Sequence, residues 1–85
     1  MIKLELNLDE NNIRNEGVTM LTKEISHLKN LTSLNLKVCN NNIFSEGVKK
    51  LGSYLECLIN LTNLELHLND NNIGEIGAEY LGNGF

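Results

Sequence analysis

Cys39 and His67 are the two residues in this chain that could pair as a nucleophile and its base, a thiol deprotonated by an imidazole. Side-chain alternation puts both on one face of two extended segments, offset by a strand and two positions. No third residue stands ready to orient the imidazole and no oxyanion site accompanies them, so no catalytic residue is assigned and the chain does not read as an enzyme. Glu5 and Glu65 are the next candidates, as paired carboxylates. They fall two strands apart, about 9 to 10 Å by strand spacing, and glycoside hydrolysis would also need an enclosed substrate pocket. Asp70-Asn71-Asn72-Ile73-Gly74 has the look of a calcium loop. Its glycine comes one place early and no glutamate falls at the twelfth position, so it reads as a turn. Neither a metal nor a cofactor is expected. Asn30-Leu31-Thr32 and Asn60-Leu61-Thr62 are formal glycosylation sequons that read more simply as turn residues leading into strands.

The elements that would position these side chains must fit in 85 residues, one small domain near the size at which a core only narrowly outweighs chain entropy. Apolar residues make up 41% of the chain, and Phe44, Tyr54, Tyr80 and Phe85 are its aromatics, which implies an aliphatic, repetitive core. A formal charge of −4 argues against binding nucleic acid, since phosphate contacts need clustered Lys and Arg. No apolar run approaches the roughly 20 residues that span a bilayer, and Lys3, Glu5, Asp9 and Glu10 interrupt the first segment, so neither a membrane span nor an export signal is expected. Two cysteines are too few for a disulfide scaffold and have no metal-ligand spacing, which favours a reduced, cytoplasmic setting.

Residues 1–30, 31–60 and 61–85 superimpose without insertion or deletion. Leu4, Leu34 and Leu64 share a column, as do Leu6, Leu36 and Leu66, and Leu8, Val38 and Leu68. The same offset aligns Asn11, Asn41 and Asn71, then Asn12, Asn42 and Asn72, then Ile13, Ile43 and Ile73, then Gly17, Gly47 and Gly77. The chain is therefore two thirty-residue repeats followed by an incomplete third, within a single domain spanning 1–85.

Each repeat carries two hydrophobic rhythms. Leu-x-Leu-x-Leu alternates with period two at 3–8, 33–38 and 63–68, the mark of a strand with one buried face. Val18, Leu21, Ile25 and Leu28, like Val48, Leu51, Leu55 and Leu58, recur at three and four, which is one helical stripe. Asn15 and Ser45 stand where N-caps belong. Neither half buries its apolar face alone, so the units must stack, with strands in a parallel sheet and helices behind it. Asn11, Asn41 and Asn71 fall just past the strands and are expected to satisfy backbone groups of adjacent turns. Gly17, Gly47 and Gly77 fall in the first helical turn, where glycine costs about 1 kcal/mol and a close helix-to-sheet approach must compensate.

The segments LTSLNLKVCNNNIFSEGVKKL (31–51) and LTNLELHLNDNNIGEIGAEYL (61–81) resemble the ribonuclease-inhibitor-like class of leucine-rich repeats, in a style similar to repeats of ciliate protists. One departure is an extra x-Leu step before the asparagine, which implies a strand half about two residues longer than usual for that class. The resemblance implies an α/β solenoid, with a parallel three-stranded sheet on the concave side and helices on the convex side. It also implies a non-catalytic role in binding a protein partner through the sheet face.

By parity the outward side chains are Lys3, Glu5, Asn7 and Asp9, then Ser33, Asn35, Lys37 and Cys39, then Asn63, Glu65, His67 and Asn69. Glu5, Asn7, Asn35, Lys37, Glu65 and His67 are the expected partner-binding residues, and Cys57 is expected to be a half-buried free thiol. Met1 takes the column of Leu31 and Leu61, and Phe85 that of Ile25 and Leu55, so both ends lack a capping segment. The alternative role is accordingly a structural subunit or a piece of a larger assembly held by its open ends, including end-to-end stacking with adjacent repeats or subunits. Regulation of a small GTPase is an outside alternative, implied only by relatives of the resembled class.

Overall fold

The computed structural model describes residues 2–74. Its elements run β1 (Lys3–Asn7), α1 (Arg14–Ile25), β2 (Ser33–Lys37), α2 (Ser45–Leu55) and β3 (Asn63–His67). The expected third helix, with Gly77 and Leu81, lies outside the described residues, as do Met1 and Phe85.

The strands form one parallel sheet in the order β1-β2-β3. Lys3 pairs with Ser33 and Ser33 with Asn63, and so on to Asn7, Lys37 and His67, so the thirty-residue period of the sequence is the pairing register of the sheet. Curvature follows from two spacings. Adjacent strands sit about 4.8 Å apart, whereas packed helices need about 8 to 10 Å between axes. A stack with one strand and one helix per unit must bend, with the sheet on the inner, concave side.

Burial tracks how many neighbours a unit has. Leu31, Leu34, Leu36, Val38, Ile43, Val48, Leu51, Leu55 and Leu58 of the middle unit are all buried. Their counterparts Leu4, Leu6, Leu8, Ile13 and Leu21 in the first unit, and Leu61, Leu64, Leu66 and Ile73 in the third, are only partly buried against them. Leu28, expected on the buried stripe, is 47% exposed, whereas its counterpart Leu58 is 4% exposed. The stripe residue needs a unit on each side, and Leu28 has one only on the side of β2.

The three strands span five residues each rather than six, and Leu8, Val38 and Leu68 lie just beyond them. The extra x-Leu step nevertheless prolongs the ladder: Leu8 N donates to Lys37 O, Val38 N to His67 O, Glu10 N to Cys39 O and Asn40 N to Asn69 O, all at 2.8–3.0 Å.

Past this point the backbone turns through left-handed residues, with Glu10, Asn12, Asn40, Asn42 and Asp70 at φ between 53 and 61°. Asn and Asp enter that region with less penalty than other side chains. Here the asparagine ladder takes over. Asn41 is fully buried. Its Oδ1 accepts from Asn11 N at 2.8 Å and Ile13 N at 3.2 Å, and its Nδ2 donates to Leu8 O and Cys39 O. Asn71 repeats the pattern one unit on, with Asn41 N, Ile43 N, Val38 O and Leu68 O. Each asparagine thus satisfies the turn of the preceding unit, and the ladder has a direction.

The expected N-caps are corrected. Asn15 and Ser45 lie inside the first turns, and the residues at the cap positions, Ile13 and Phe44, make no side-chain capping bond. The main-chain groups are served from the neighbouring turn instead: Asn15 Oδ1 accepts from Phe44 N at 2.8 Å. This explains Gly47. A methyl group there would run into Asn15 Oδ1 and meet Ile43 Cγ2 at 2.9 Å, so the close approach is to the preceding unit and the strand-to-helix turn rather than to the sheet itself.

Asn41 and Asn11 occupy the same column but serve different numbers of groups, because Asn11 Nδ2 donates to Asp9 O and its Oδ1 accepts from none of the described residues. Asn41→Ala removes the partner of Asn11 N, Ile13 N and Leu8 O, while Cys39 O keeps Glu10 N, and should cost at least about 2 kcal/mol in urea unfolding, whereas Asn11→Ala should cost less than half as much. Equal losses would show that the ladder is not what joins the units.

Candidate interaction site

The odd-numbered strand residues face the concave side, as parity requires. Lys3, Glu5, Asn7, Asn63, Glu65 and Asn69 are exposed, and Asn35, Lys37, Cys39 and His67 are half-buried. Ser33 departs from the expectation and is buried, with its Oγ accepting from Asn63 Nδ2 at 3.3 Å. The six expected partner-binding residues therefore share one surface. Glu5, Asn35 and Glu65 make one row across the three strands, and Asn7, Lys37 and His67 make the next.

Signs of charge alternate over this surface. Lys3 Nζ lies 2.9 Å from Glu5 Oε1 with both side chains more than half exposed. That hydrogen-bonded ammonium, helped by Lys37, holds the Glu5 carboxyl below the usual carboxylate range, and Glu5 in turn raises Lys3. A shallow depression of about 220 Å³ opens between the first two strands, lined by Glu5, Leu6, Asn7, Asn35 and Lys37. Two polar atoms on this face are closed off from solvent without a hydrogen bond, Asn35 Oδ1 and His67 Nε2. Glu65 Oε2 is 3.6 Å from His67 Nε2, near enough for charge attraction but too long for a hydrogen bond.

Cys39 and His67 are not assembled for nucleophilic chemistry. Cys39 N donates to Asp9 Oδ1 at 2.7 Å, and burial, reinforced by the nearby Asp9 carboxylate, pushes its thiol pKa up. A reactive cysteine needs the opposite shift. Cys57, expected to be half-buried, is exposed at the foot of α2, where its thiol reaches only Ser53 O at 3.8 Å. Asn60, the sequon residue, donates its Nδ2 to Lys29 O at 2.8 Å and is a rung between return loops. Among the described residues, no group of three or more His, Cys, Asp or Glu side chains is placed to hold a metal ion, and no helix is long and apolar enough to cross a membrane.

The parallel strands β1 to β3, the hydrogen-bonding asparagines Asn41 and Asn71, and the helices α1 and α2, each set thirty residues apart, decide the architecture. A family model described as Leucine Rich repeat matches residues 3–21 and 60–82. The chain is a leucine-rich repeat solenoid. No curated protein and no solved structure matches it.

Sequence reasoning overlooked a second surface of this leucine-rich repeat fold, on the turns that lead into the helices. Asn12, Arg14, Asn15, Asn42 and Phe44 line a groove of about 420 Å³ there, floored by an Asn42 Nδ2 to Asn12 Oδ1 bond of 2.6 Å. Its signal was a broken column: Arg14 and Gly74 adopt φ of 62 and 65°, while Phe44 between them stays extended and leaves its ring 45% exposed.

Because its folded pKa is lowered, Glu5 contributes stability above the ordinary carboxylate range, and that contribution disappears as pH falls through the folded value. The effect on unfolding is small at so exposed a pair. Following the Glu5 carboxyl carbon by NMR should show Lys3→Met raising its midpoint toward the ordinary value. An unchanged midpoint would mean that the Lys3 contact does not persist in solution.

Proposed function

We propose that this chain is a non-catalytic recognition module that holds a protein partner on its concave face, with Glu5, Asn7, Asn35, Lys37, Glu65 and His67 as the contact residues. The observation that supports this reading is the gathering of all six side chains on one sheet surface, in two rows of mixed charge across the three strands. Rigid strands presenting a surface of mixed charge suit selective binding, since opposed charges set register and reject mismatched partners.

The finer assignments belong to the same reading. Full α-helices of 12 and 11 residues within a thirty-residue period support placing the repeats in the ribonuclease-inhibitor-like class. Two free cysteines, Cys39 and Cys57, suit a reduced, cytoplasmic setting.

Reversing Lys37 and Glu65 together, as Lys37→Glu with Glu65→Lys, keeps the net charge and should weaken partner binding at least about tenfold, or 1.4 kcal/mol. The matched swap on the helix side, Lys23→Glu with Glu56→Lys, should leave binding within about twofold. Binding of the chain to a partner isolated by pull-down, measured by calorimetry, decides between them. Equal losses, or a loss confined to the helix-side swap, would overturn the concave face as the site.

A further inference from the structure

Most charges of the concave face already have a contact within the chain. Lys3 Nζ and Glu5 Oε1 are 2.9 Å apart, Asp9 Oδ1 accepts from Cys39 N at 2.7 Å, and Glu65 Oε2 lies 3.6 Å from His67 Nε2. Lys37 is the exception. It lies half-buried on the middle strand, and its ammonium makes no hydrogen bond or ion pair with any described residue. Glu5 is held first by Lys3 and only then, through space, by Lys37. We propose, resting on the concave face as the binding surface, that Lys37 and Asn7 seat a carboxylate side chain of the protein partner, an aspartate or a glutamate, between β1 and β2.

The second donor is oriented by its own turn. Asp9 N donates to Asn7 Oδ1 at 3.2 Å. A main-chain N–H is met by the amide oxygen, so Asn7 Nδ2 is the end left over, and it has no acceptor among the described residues. Asn7 and Lys37 are cross-strand partners, and both line the depression of about 220 Å³. Two donors, one charged and one neutral, thus share one opening with no acceptor of their own. A carboxylate is the complement, because it carries one negative charge, offers two oxygens and has no proton to place. A main-chain carbonyl would serve Asn7 but leave the ammonium without a counter-charge.

The surroundings also set how much negative charge the seat accepts. Glu5 lines the same depression, and Glu65 stands in the same row on the far side of β2. A single charge beside Lys37 is balanced there, with the repulsion from Glu5 lessened by Lys3. A phosphate, at about −1.5 to −2, leaves a surplus facing both glutamates. The seat is therefore selective for an acidic side chain over a phosphorylated one.

Random linear peptides displayed on phage and selected on the 85-residue chain are the probe, with synthetic copies measured by calorimetry. Binders that shift the backbone amides of β1 to β3 in NMR spectra define the concave-face set. These should share an aspartate or glutamate whose replacement by asparagine or glutamine weakens binding at least about tenfold. In Lys37→Gln the same replacement should change binding by less than about twofold, because the charge it met is gone. Asn7→Asp keeps the oxygen for Asp9 N but turns the donor into an acceptor, and should also weaken binding at least about tenfold. Concave-face binders with no acidic residue, with a carboxylate uncoupled from Lys37, or bound as tightly with phosphoserine in its place would overturn the seat and leave the concave face as the binding surface. Binders that shift only helix or turn amides, or no binder at all, would remove that reading and the seat with it.

Discussion

The asparagine at positions 11, 41 and 71 is the constraint on which the rest of this structure depends. At the end of each strand the chain must reverse toward the helix, and the turn leaves N–H and C=O groups facing the interior with no strand to meet them. An unmet buried main-chain group costs about as much as a lost hydrogen bond or more. One asparagine side chain, with an acceptor and a two-proton donor, serves four such groups drawn from two units. A leucine in its place would bury well and satisfy none of them. The thirty-residue period is therefore the distance the chain must travel before it can offer the next asparagine at the correct height, and the strand register repeats the same number.

From that fixed rung the packing follows outward. A unit whose turn is held on both sides brings its strand leucines and its helix stripe into full burial, as the middle unit does from Leu31 to Leu58. A unit held on one side leaves most of the same strand columns only partly covered, although Val18, Ile25 and Leu68 stay buried. Stability is thus a property of contacts between units more than of any one of them, which is the expected behaviour of a quasi-one-dimensional stack. Gly47 belongs to the same logic. Its missing side chain is the space through which Asn15 reaches the next turn, so the helix propensity lost there is offset by a bond to Phe44 N.

How much of this was legible beforehand depended on whether the relevant interaction was periodic. The strand columns, the sheet order and the asparagine role follow from spacing, since each repeats three times at one offset. The strand limits were overestimated by one residue, because Leu8, Val38 and Leu68 keep the apolar alternation after the backbone has left regular pairing. Asn15 was misread as a cap because Asn at a helix start ordinarily serves its own helix, and no local pattern reveals service to a neighbour thirty residues on. Leu28 and Cys57 were placed too deep for a related reason, as a stripe on one helix does not say whether another unit covers it. The concave residues were located by parity alone. Their alternating charges and the closed amide of Asn35 depend on side-chain conformations that no spacing encodes.

The division between the two sides of each strand also bears on what such a molecule can do. The inward columns are held to leucine, isoleucine or valine by packing, so substitutions there are felt throughout the stack. The outward columns differ at nearly every unit: lysine, serine and asparagine in one, glutamate, asparagine and glutamate in the next, then asparagine, lysine and histidine. Such a surface changes its chemistry without disturbing its geometry. It is also open, because three strands of five residues form a shallow trough rather than a pocket that excludes water. Electrostatic stabilisation of a transition state depends on exclusion of water, whereas association between two preformed surfaces creates that exclusion only when they meet.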